Sequence, residues 1–199
     1  MLGLDEIWWL VSPGNPLKET QGMAPLHLRY GSAVAAARGL PIRVTAIERE
    51  FGTPYTAETL RALRYRFQEH DFIWLMGADN LGQFHRWRDW RGIARTVPIA
   101  VVGRPGYDDD ARAARAMGWL RRFVRPAGQA RCWTEWRLPA LVLLRTPPDP
   151  TSATGLRAAD PDWHSTLARS FNPQALRDGV TRRPILSRRH IARTHTRPG

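Results

Sequence analysis

The sequence predicts an α/β domain with a doubly wound parallel sheet, covered by helices on both faces. Two observations predict it: short continuous apolar runs recur along the chain, and segments with helical periodicity lie between them. Strands that are buried on both faces read as continuous apolar runs, because neither face meets water. Their alternation with helices favours parallel strand connections.

Five apolar runs predict the strands of this sheet. Each is short, and the first ends in a loop-forming stretch, Ser-Pro-Gly-Asn-Pro, at residues 12–16. The predicted strands are residues 7–11, 42–47, 72–76, 97–102 and 138–144.

Three segments with helical spacing lie between the strands. The residues that share the first helical face are Leu26, Tyr30, Ala33, Val34 and Ala37. Leu60, Leu63 and Phe67 share a second face, and Thr56 is placed to cap that helix. A third helix is predicted at residues 110–123.

Length and composition predict one folded domain, residues 1–160, followed by a tail. The chain has 199 residues, enough to bury a full core, and one cysteine, Cys132, which excludes an internal disulfide. Apolar periodicity stops near residue 160, and Pro, Arg, Ser and His dominate residues 161–199. We therefore expect a basic, disordered C-terminal tail. Oligomeric state cannot be inferred.

The sequence predicts a soluble, cytoplasmic protein without a metal site of its own. No apolar run reaches the roughly 18 residues that span a membrane, and the N-terminus lacks the features of a signal peptide. The spacing of the six histidines does not match that of metal ligands. The net charge of +12 leaves a nucleic-acid-binding module open as an alternative, although the basic residues are spread through the chain and no specific nucleic acid is expected.

Polar clusters follow several predicted strands, at the sheet edge where ligands bind in such folds. Gly77 and Asp79 follow the third strand, where a glycine allows close backbone approach and a carboxylate accepts hydrogen bonds from ribose hydroxyls. Trp87 brings an indole to the same edge, on which an electron-poor pyridinium ring would stack. Each of these residues is also consistent with an ordinary turn or packing role.

Two further clusters place hydroxyl groups at predicted helix starts, where backbone N–H groups attract anions. Tyr55 and Thr56 begin one such segment. Ser152 and Thr154 begin another, and Arg157 follows one turn later. Plain helix capping explains these hydroxyls equally well. Lys18 and Arg104 each add a cation after a strand, as binding residues or as ordinary solvated charges.

Taken in order, these motifs resemble the bacterial nicotinate-nucleotide adenylyltransferases. The resemblance covers residues 3–159. It is carried by Trp-Trp-Leu-Val-Ser-Pro at 8–13, Asn-Pro-Leu-Lys at 15–18, Tyr-Thr-Ala-Glu-Thr-Leu at 55–60, Trp-Leu-Met-Gly-Ala-Asp-Asn at 74–80, Phe-His-Arg-Trp at 84–87, Gly-Arg-Pro-Gly-Tyr at 103–107 and Ser-Ala-Thr-Gly-Leu-Arg at 152–157.

The resemblance implies a Rossmann-like nucleotidyltransferase fold and transfer of AMP from ATP, which carries Mg²⁺, to nicotinate mononucleotide. Deamido-NAD and pyrophosphate would be the products. By similarity, the mononucleotide would contact Tyr55, Thr56, Asp79, Trp87 and Lys18. The residues that would meet ATP and its phosphates are Gly77, Arg104, Ser152, Thr154 and Arg157. The choice between nicotinate and nicotinamide mononucleotide stays open.

The chain departs from the family pattern at its N-terminus. The family's Gly-Gly-Ser/Thr-Phe-Asp-Pro-x-His-x-Gly-His segment, whose histidines contact ATP phosphates, has no counterpart. No catalytic residue is therefore assigned, and we expect the natural protein to carry an additional N-terminal segment with the first, central strand and its helix. An inactive remnant that keeps only the pyridine-nucleotide half-site is an alternative. A further alternative is a related enzyme that acts on another acceptor, such as phosphopantetheine. The presence of Tyr55, Thr56 and Trp87 favours the pyridine acceptor instead.

Overall fold

The computed structural model describes residues 1–14, 23–103, 112–145, 147, 155, 159 and 172–186. The chain divides into two compact units. A four-stranded unit comprises Met1–Gly3 and Tyr55–Thr151, and a two-stranded unit comprises Leu4–Pro54 and Ser152–Gly199. Both contain parallel strands and helices, so the predicted α/β class is confirmed.

The two-stranded unit pairs the first two strands in parallel. Strands β1 (Ile7–Leu10) and β2 (Ile42–Thr45) are in register, with Ile7 opposite Ile42. Helices α1 (Leu26–Ala36) and α2 (Glu48–Phe51) belong to the same unit. Its core consists of Val11, Tyr30, Ala33, Ala37, Val44, Ala46 and Ile185.

A C-terminal segment, residues 172–186, completes this core. It contains a 3₁₀ turn (Pro173–Ala175) and an antiparallel bridge between Arg177 and Pro184. The carboxylate of Asp178, only 3% exposed, accepts hydrogen bonds from the Thr45 hydroxyl and from the backbone N–H groups of Ala46, Val180 and Thr181. These bonds attach the segment to the end of β2. Disorder was predicted for residues 161–199, and residues 172–186 depart from that prediction because they bury Asp178 and Ile185.

The hydroxyl of Tyr30 connects α1, β2 and this segment. It donates to the carbonyl oxygen of Val44 at 2.7 Å and accepts from the N–H of Gly179 at 3.0 Å. Gly179 also donates to the Val44 carbonyl, and a Cβ at Gly179 would lie 2.6 Å from that oxygen. Only glycine therefore fits at this backbone contact.

The four-stranded unit forms a parallel sheet in the order β3-β4-β6-β5. Its strands are β3 (Trp74–Gly77), β4 (Ile99–Val102), β5 (Val124–Arg125) and β6 (Leu141–Leu144). Helices in the described part of this unit include α3 (Thr56–Arg66), α4 (Ala78–Gln83), α5 (Trp90–Thr96) and α6 (Met117–Leu120). Segments of 3₁₀ helix in the described part of this unit are Phe84–Arg86, Arg121–Phe123 and Ala127–Glu135.

Helix α5 begins where Asp89 adopts a left-handed backbone, with φ of 48°. Its carboxylate accepts from the N–H of Gly92 and pairs with the guanidinium of Arg61 on α3. The bond to Arg61 lowers the pKa of Asp89. This contact links the start of α5 to α3, and the two helices pack together.

Several element boundaries differ from the sequence predictions. Strand β3 begins at Trp74 rather than residue 72, and β6 begins at Leu141 rather than 138, since Pro139 has no N–H for the ladder. The short strand β5 was not predicted, because two residues carry no periodic signal. The predicted helix at 110–123 is interrupted at Ala114, and residues 104–111 lie outside the described residues.

Two helix predictions were wrong in detail. Thr56 does not cap α3: it is the first helical residue, and Tyr55 occupies the cap position without a side-chain cap bond. Val34 is 40% exposed, although it was predicted on the buried face of α1. The position lies at the margin of the apolar stripe, where a small change in helix rotation decides exposure.

Replacing Asp178 by Asn is expected to lower the free energy of unfolding by about 3 kcal/mol. Backbone N–H donors face both carboxylate oxygens, so the amide NH₂ would oppose a donor in either orientation. Urea unfolding would measure the loss. Asp5→Asn, at an exposed carboxylate, is the matched control and should change stability little; equal stability of the two variants would contradict the assigned role of Asp178.

Tyr30 is expected to make stability depend on alkaline pH. Burial, followed by the nearby Asp178 carboxylate, raises the pKa of Tyr30 to about 12. The unfolded chain loses the phenolic proton near pH 10 and the folded chain only near pH 12, so this contribution is complete below pH 10 and is lost between pH 10 and 12. Urea unfolding across that range should show the loss in the wild type and in Tyr65→Phe, whose ring is exposed, but not in Tyr30→Phe.

Candidate functional site

The candidate site lies at the carboxyl edge of the four-stranded sheet. Gly77 ends β3, Gly103 directly follows β4 and Arg145 directly follows β6. Because the three strands are parallel and in register, their carboxyl ends share one edge. Open α/β sheets bind ligands at this edge.

Gly77 and Asp79 form a close contact at the end of β3. Helix α4 begins at Ala78, without an intervening loop, and Asp79 lies in its first turn. A Cβ built on Gly77 would clash with Oδ1 of Asp79. The φ of Gly77 is −74°, which any residue adopts, so the glycine is needed for space rather than for conformation. Its missing side chain allows the carboxylate to lie against the strand end.

Arg88, in the segment that precedes α5, contacts residues at the start of α3. The guanidinium of Arg88 is 4.5 Å from the ring centroid of Tyr55 and 3.3 Å from the carboxylate of Glu58. Tyr55 and Thr56 begin α3, and Trp87 adjoins Arg88. Tyr55 and Trp87 are half-buried, so each presents part of an aromatic ring to solvent.

Trp87 is held by a buried aromatic side chain. Phe84 has no exposed surface and meets the Trp87 ring edge-to-face, with centroids 5.5 Å apart. The same Phe84 ring also contacts Trp90. Such contacts restrict the orientation of an indole, and so a ligand stacking on Trp87 would meet a preformed surface.

A cavity of about 490 Å³ opens at the same sheet edge. Its volume is within the range of small-molecule sites. Three arginines contribute to a lining that is otherwise formed by apolar side chains and Gly103. The described residues that line it are Ala78, Val101, Gly103, Arg112, Val124, Arg125, Pro126, Ala127, Leu143, Leu144 and Arg145.

A family model and similar curated proteins identify the family of this chain. A solved Plasmodium falciparum nicotinic acid mononucleotide adenylyltransferase complexed with APC matches with a TM-score of 0.49 and 13% identity, over 78% of this chain and 68% of that chain. Residues 1–159 match the family model of cytidylyltransferase-like proteins. A probable nicotinate-nucleotide adenylyltransferase of Erythrobacter litoralis is 56% identical over 188 residues, covering 94% of this chain and 84% of that protein. The chain belongs to the nicotinate-nucleotide adenylyltransferase family. A Gluconacetobacter diazotrophicus relative of the same description is 46% identical, over 79% of this chain and 74% of its own length.

Half of the predicted contact residues of this adenylyltransferase lie within the described residues. Gly77 and Asp79 are in contact, and Arg88 lies over the ring of Tyr55. Thr56 follows Tyr55 at the start of α3, and Trp87 directly precedes Arg88 in the chain. Their roles toward ligands stay predictions. The predicted residues that lie outside the described residues are Lys18, Arg104, Ser152, Thr154 and Arg157.

The sequence analysis missed the arginines of this site. Arg88 directly follows the Phe-His-Arg-Trp motif, which could have directed attention to it. Arg112, Arg125 and Arg145 carry no local signal, because the chain has 30 lysines and arginines spread along its length. Only the packing of β5 against β6 brings Arg125 to the cavity.

The described residues contain neither a membrane-spanning helix nor a cluster of metal-ligating side chains. No helix there has both the length and the apolar composition needed to cross a membrane. Within the same ranges, no three side chains of His, Cys, Asp or Glu are close enough together to hold a metal ion.

Gly77→Ala is expected to move the Asp79 carboxylate away from the end of β3 while the fold is retained, since the clashing atom ends a flexible side chain. The carboxyl ¹³C chemical shift of Asp79 should change. Gly82→Ala is the matched control, because a Cβ there meets nothing within 4 Å. An unchanged Asp79 signal in Gly77→Ala would show that the contact does not depend on the glycine.

Proposed function

We propose that this protein transfers the AMP moiety of ATP to nicotinate mononucleotide, forming deamido-NAD and pyrophosphate. Membership in the adenylyltransferase family supports the reaction type. The observation that carries the proposal is the placement of Gly77 and Asp79 at the carboxyl end of β3, where the carboxylate can accept hydrogen bonds from ribose hydroxyls.

The proposed reaction is an in-line displacement at the α-phosphorus of ATP. A phosphate oxygen of the mononucleotide forms the new P–O bond as the bond to the β-phosphate breaks, and pyrophosphate leaves with the electron pair. The protein mainly positions the two phosphates and neutralises charge, so no protein nucleophile is required. We propose that Mg²⁺ enters with ATP, bound to phosphate oxygens, and supplies part of this neutralisation.

Arg88, the Tyr55 ring that it contacts and the neighbouring Trp87 have the chemistry needed to bind the acceptor. The pyridinium ring of nicotinate mononucleotide is electron-poor and stacks well on aromatic faces, which Tyr55 and Trp87 offer. Its carboxylate needs a cation or a hydrogen-bond donor. The guanidinium of Arg88 and the hydroxyl of Thr56, at the start of α3, are groups of this kind.

On the ATP side, the proposal combines described and sequence-predicted residues. Gly77 would let ATP approach the strand end, whereas Asp79, on the mononucleotide side, would meet the ribose of the mononucleotide. Arg104, Ser152, Thr154 and Arg157 would surround the phosphates, and Lys18 would add positive charge on the mononucleotide side. These five assignments follow from the family motif order in the sequence.

Pyrophosphate release by the purified chain with ATP, Mg²⁺ and nicotinate mononucleotide tests the function directly. Chromatography should identify deamido-NAD in equal amount. Nicotinamide mononucleotide in parallel tests acceptor choice. Binding of nicotinate mononucleotide without turnover would favour the remnant with one half-site. Absence of both binding and turnover would overturn the proposal.

Trp87→Leu is expected to raise the KM for nicotinate mononucleotide by about tenfold, because it removes the stacking surface, while the KM for ATP changes little. Trp9→Leu, at an exposed tryptophan of the two-stranded unit, is the matched control and should leave both constants unchanged. Equal effects of Trp87→Leu on both KM values would indicate a general structural role.

A further inference from the structure

The cavity at the carboxyl edge of the four-stranded sheet is lined by an arginine that has an unpaired hydrogen-bond donor. Arg125, on β5, lines the cavity, and its Nε atom is buried without a hydrogen-bond partner among the described residues. A guanidinium is always protonated, so this N–H is a permanent donor. Buried donors are nearly always paired, and an exception calls for a missing acceptor.

The charge of the cavity indicates which acceptor it would take. Arg112 and Arg145 also line it, and the described lining residues include no carboxylate. Three arginines therefore line one cavity without a negative partner in its described wall. Guanidinium groups bind phosphate oxygens well, because their N–H groups match the spacing of those oxygens.

The apolar part of the wall indicates the rest of the ligand. Ala78, Val101 and Leu143 line the cavity near the carboxyl ends of β3, β4 and β6. Apolar side chains favour contact with an uncharged ring over contact with a bare ion. A molecule with both a ring and several phosphates fits the lining, and a nucleoside triphosphate is such a molecule.

We propose that Arg125 binds a phosphate of ATP in this cavity, together with Arg112 and Arg145. The identity of the nucleotide rests on the proposed function, whereas the anionic character of the ligand rests on the cavity itself. Arg125 lies outside every motif that carried the family resemblance, so the assignment adds a binding residue to those predicted from the sequence.

The unpaired donor also distinguishes a binding role from a structural one. If Arg125 stabilised the fold, its removal would lower the unfolding temperature of the free protein. If it serves a ligand, replacing it with methionine removes an unsatisfied buried group, and the free protein should be as stable as the wild type or more stable. Only the stabilisation that the ligand confers should then decrease.

The experiment measures binding of a non-hydrolysable ATP analogue, of pyrophosphate and of nicotinate mononucleotide by calorimetry, with unfolding temperatures in parallel. Arg125→Met is expected to weaken binding of the ATP analogue by about tenfold or more and also to weaken binding of pyrophosphate. Its affinity for nicotinate mononucleotide should equal that of the wild type. Arg125→Lys should retain part of the affinity. Arg121→Met, at an exposed arginine that does not line the cavity, should match the wild type.

The outcomes separate this inference from the proposed function. Wild-type affinity of Arg125→Met for the ATP analogue, or a lower unfolding temperature of the free variant with unchanged binding, would overturn the role of Arg125. The same holds if the wild type binds no ATP analogue. If the wild type binds it through Arg125 but transfers no AMP, the proposed function fails and the nucleotide site stands.

Discussion

Strand β4 is the element on which the geometry of the four-stranded unit depends. It hydrogen-bonds in parallel to β3 on one side and to β6 on the other, and its first two residues, Ile99 and Ala100, have no exposed surface. This pairing brings the ends of three strands to one edge. Gly77, Gly103 and Arg145 lie at that edge only because the register places them there.

Two polar groups at this edge have positions that do not stabilise the fold. The Asp79 carboxylate lies against the end of β3, in the space that a side chain at position 77 would occupy. The Nε atom of Arg125 is buried without a partner among the described residues. An unsatisfied buried donor costs about 1–3 kcal/mol, a substantial fraction of the stability of a small domain. Costs of this kind are typical of binding sites, where a ligand supplies the missing interactions.

The two-stranded unit depends on packing against other parts of the chain for its stability. A two-stranded sheet is marginal by itself, and further packing is needed to stabilise it. Here α1 supplies Tyr30, and residues 172–186 supply Ile185 and the buried carboxylate of Asp178. Residues far apart in the chain therefore form one hydrogen-bonded core, although nothing in the local sequence of 172–186 indicates a folded segment.

The sequence by itself determined the α/β class, most strand positions and the family, because apolar periodicity and ordered motifs are local properties of the chain. It also identified Tyr55, Thr56, Gly77, Asp79 and Trp87 as a candidate set. Only the tertiary structure decided that Asp79 lies against Gly77, that Arg88 lies over Tyr55 and that Arg125 reaches a cavity. These contacts join elements distant in sequence or depend on side-chain packing. In so basic a chain, the local sequence around an arginine does not indicate what that arginine binds.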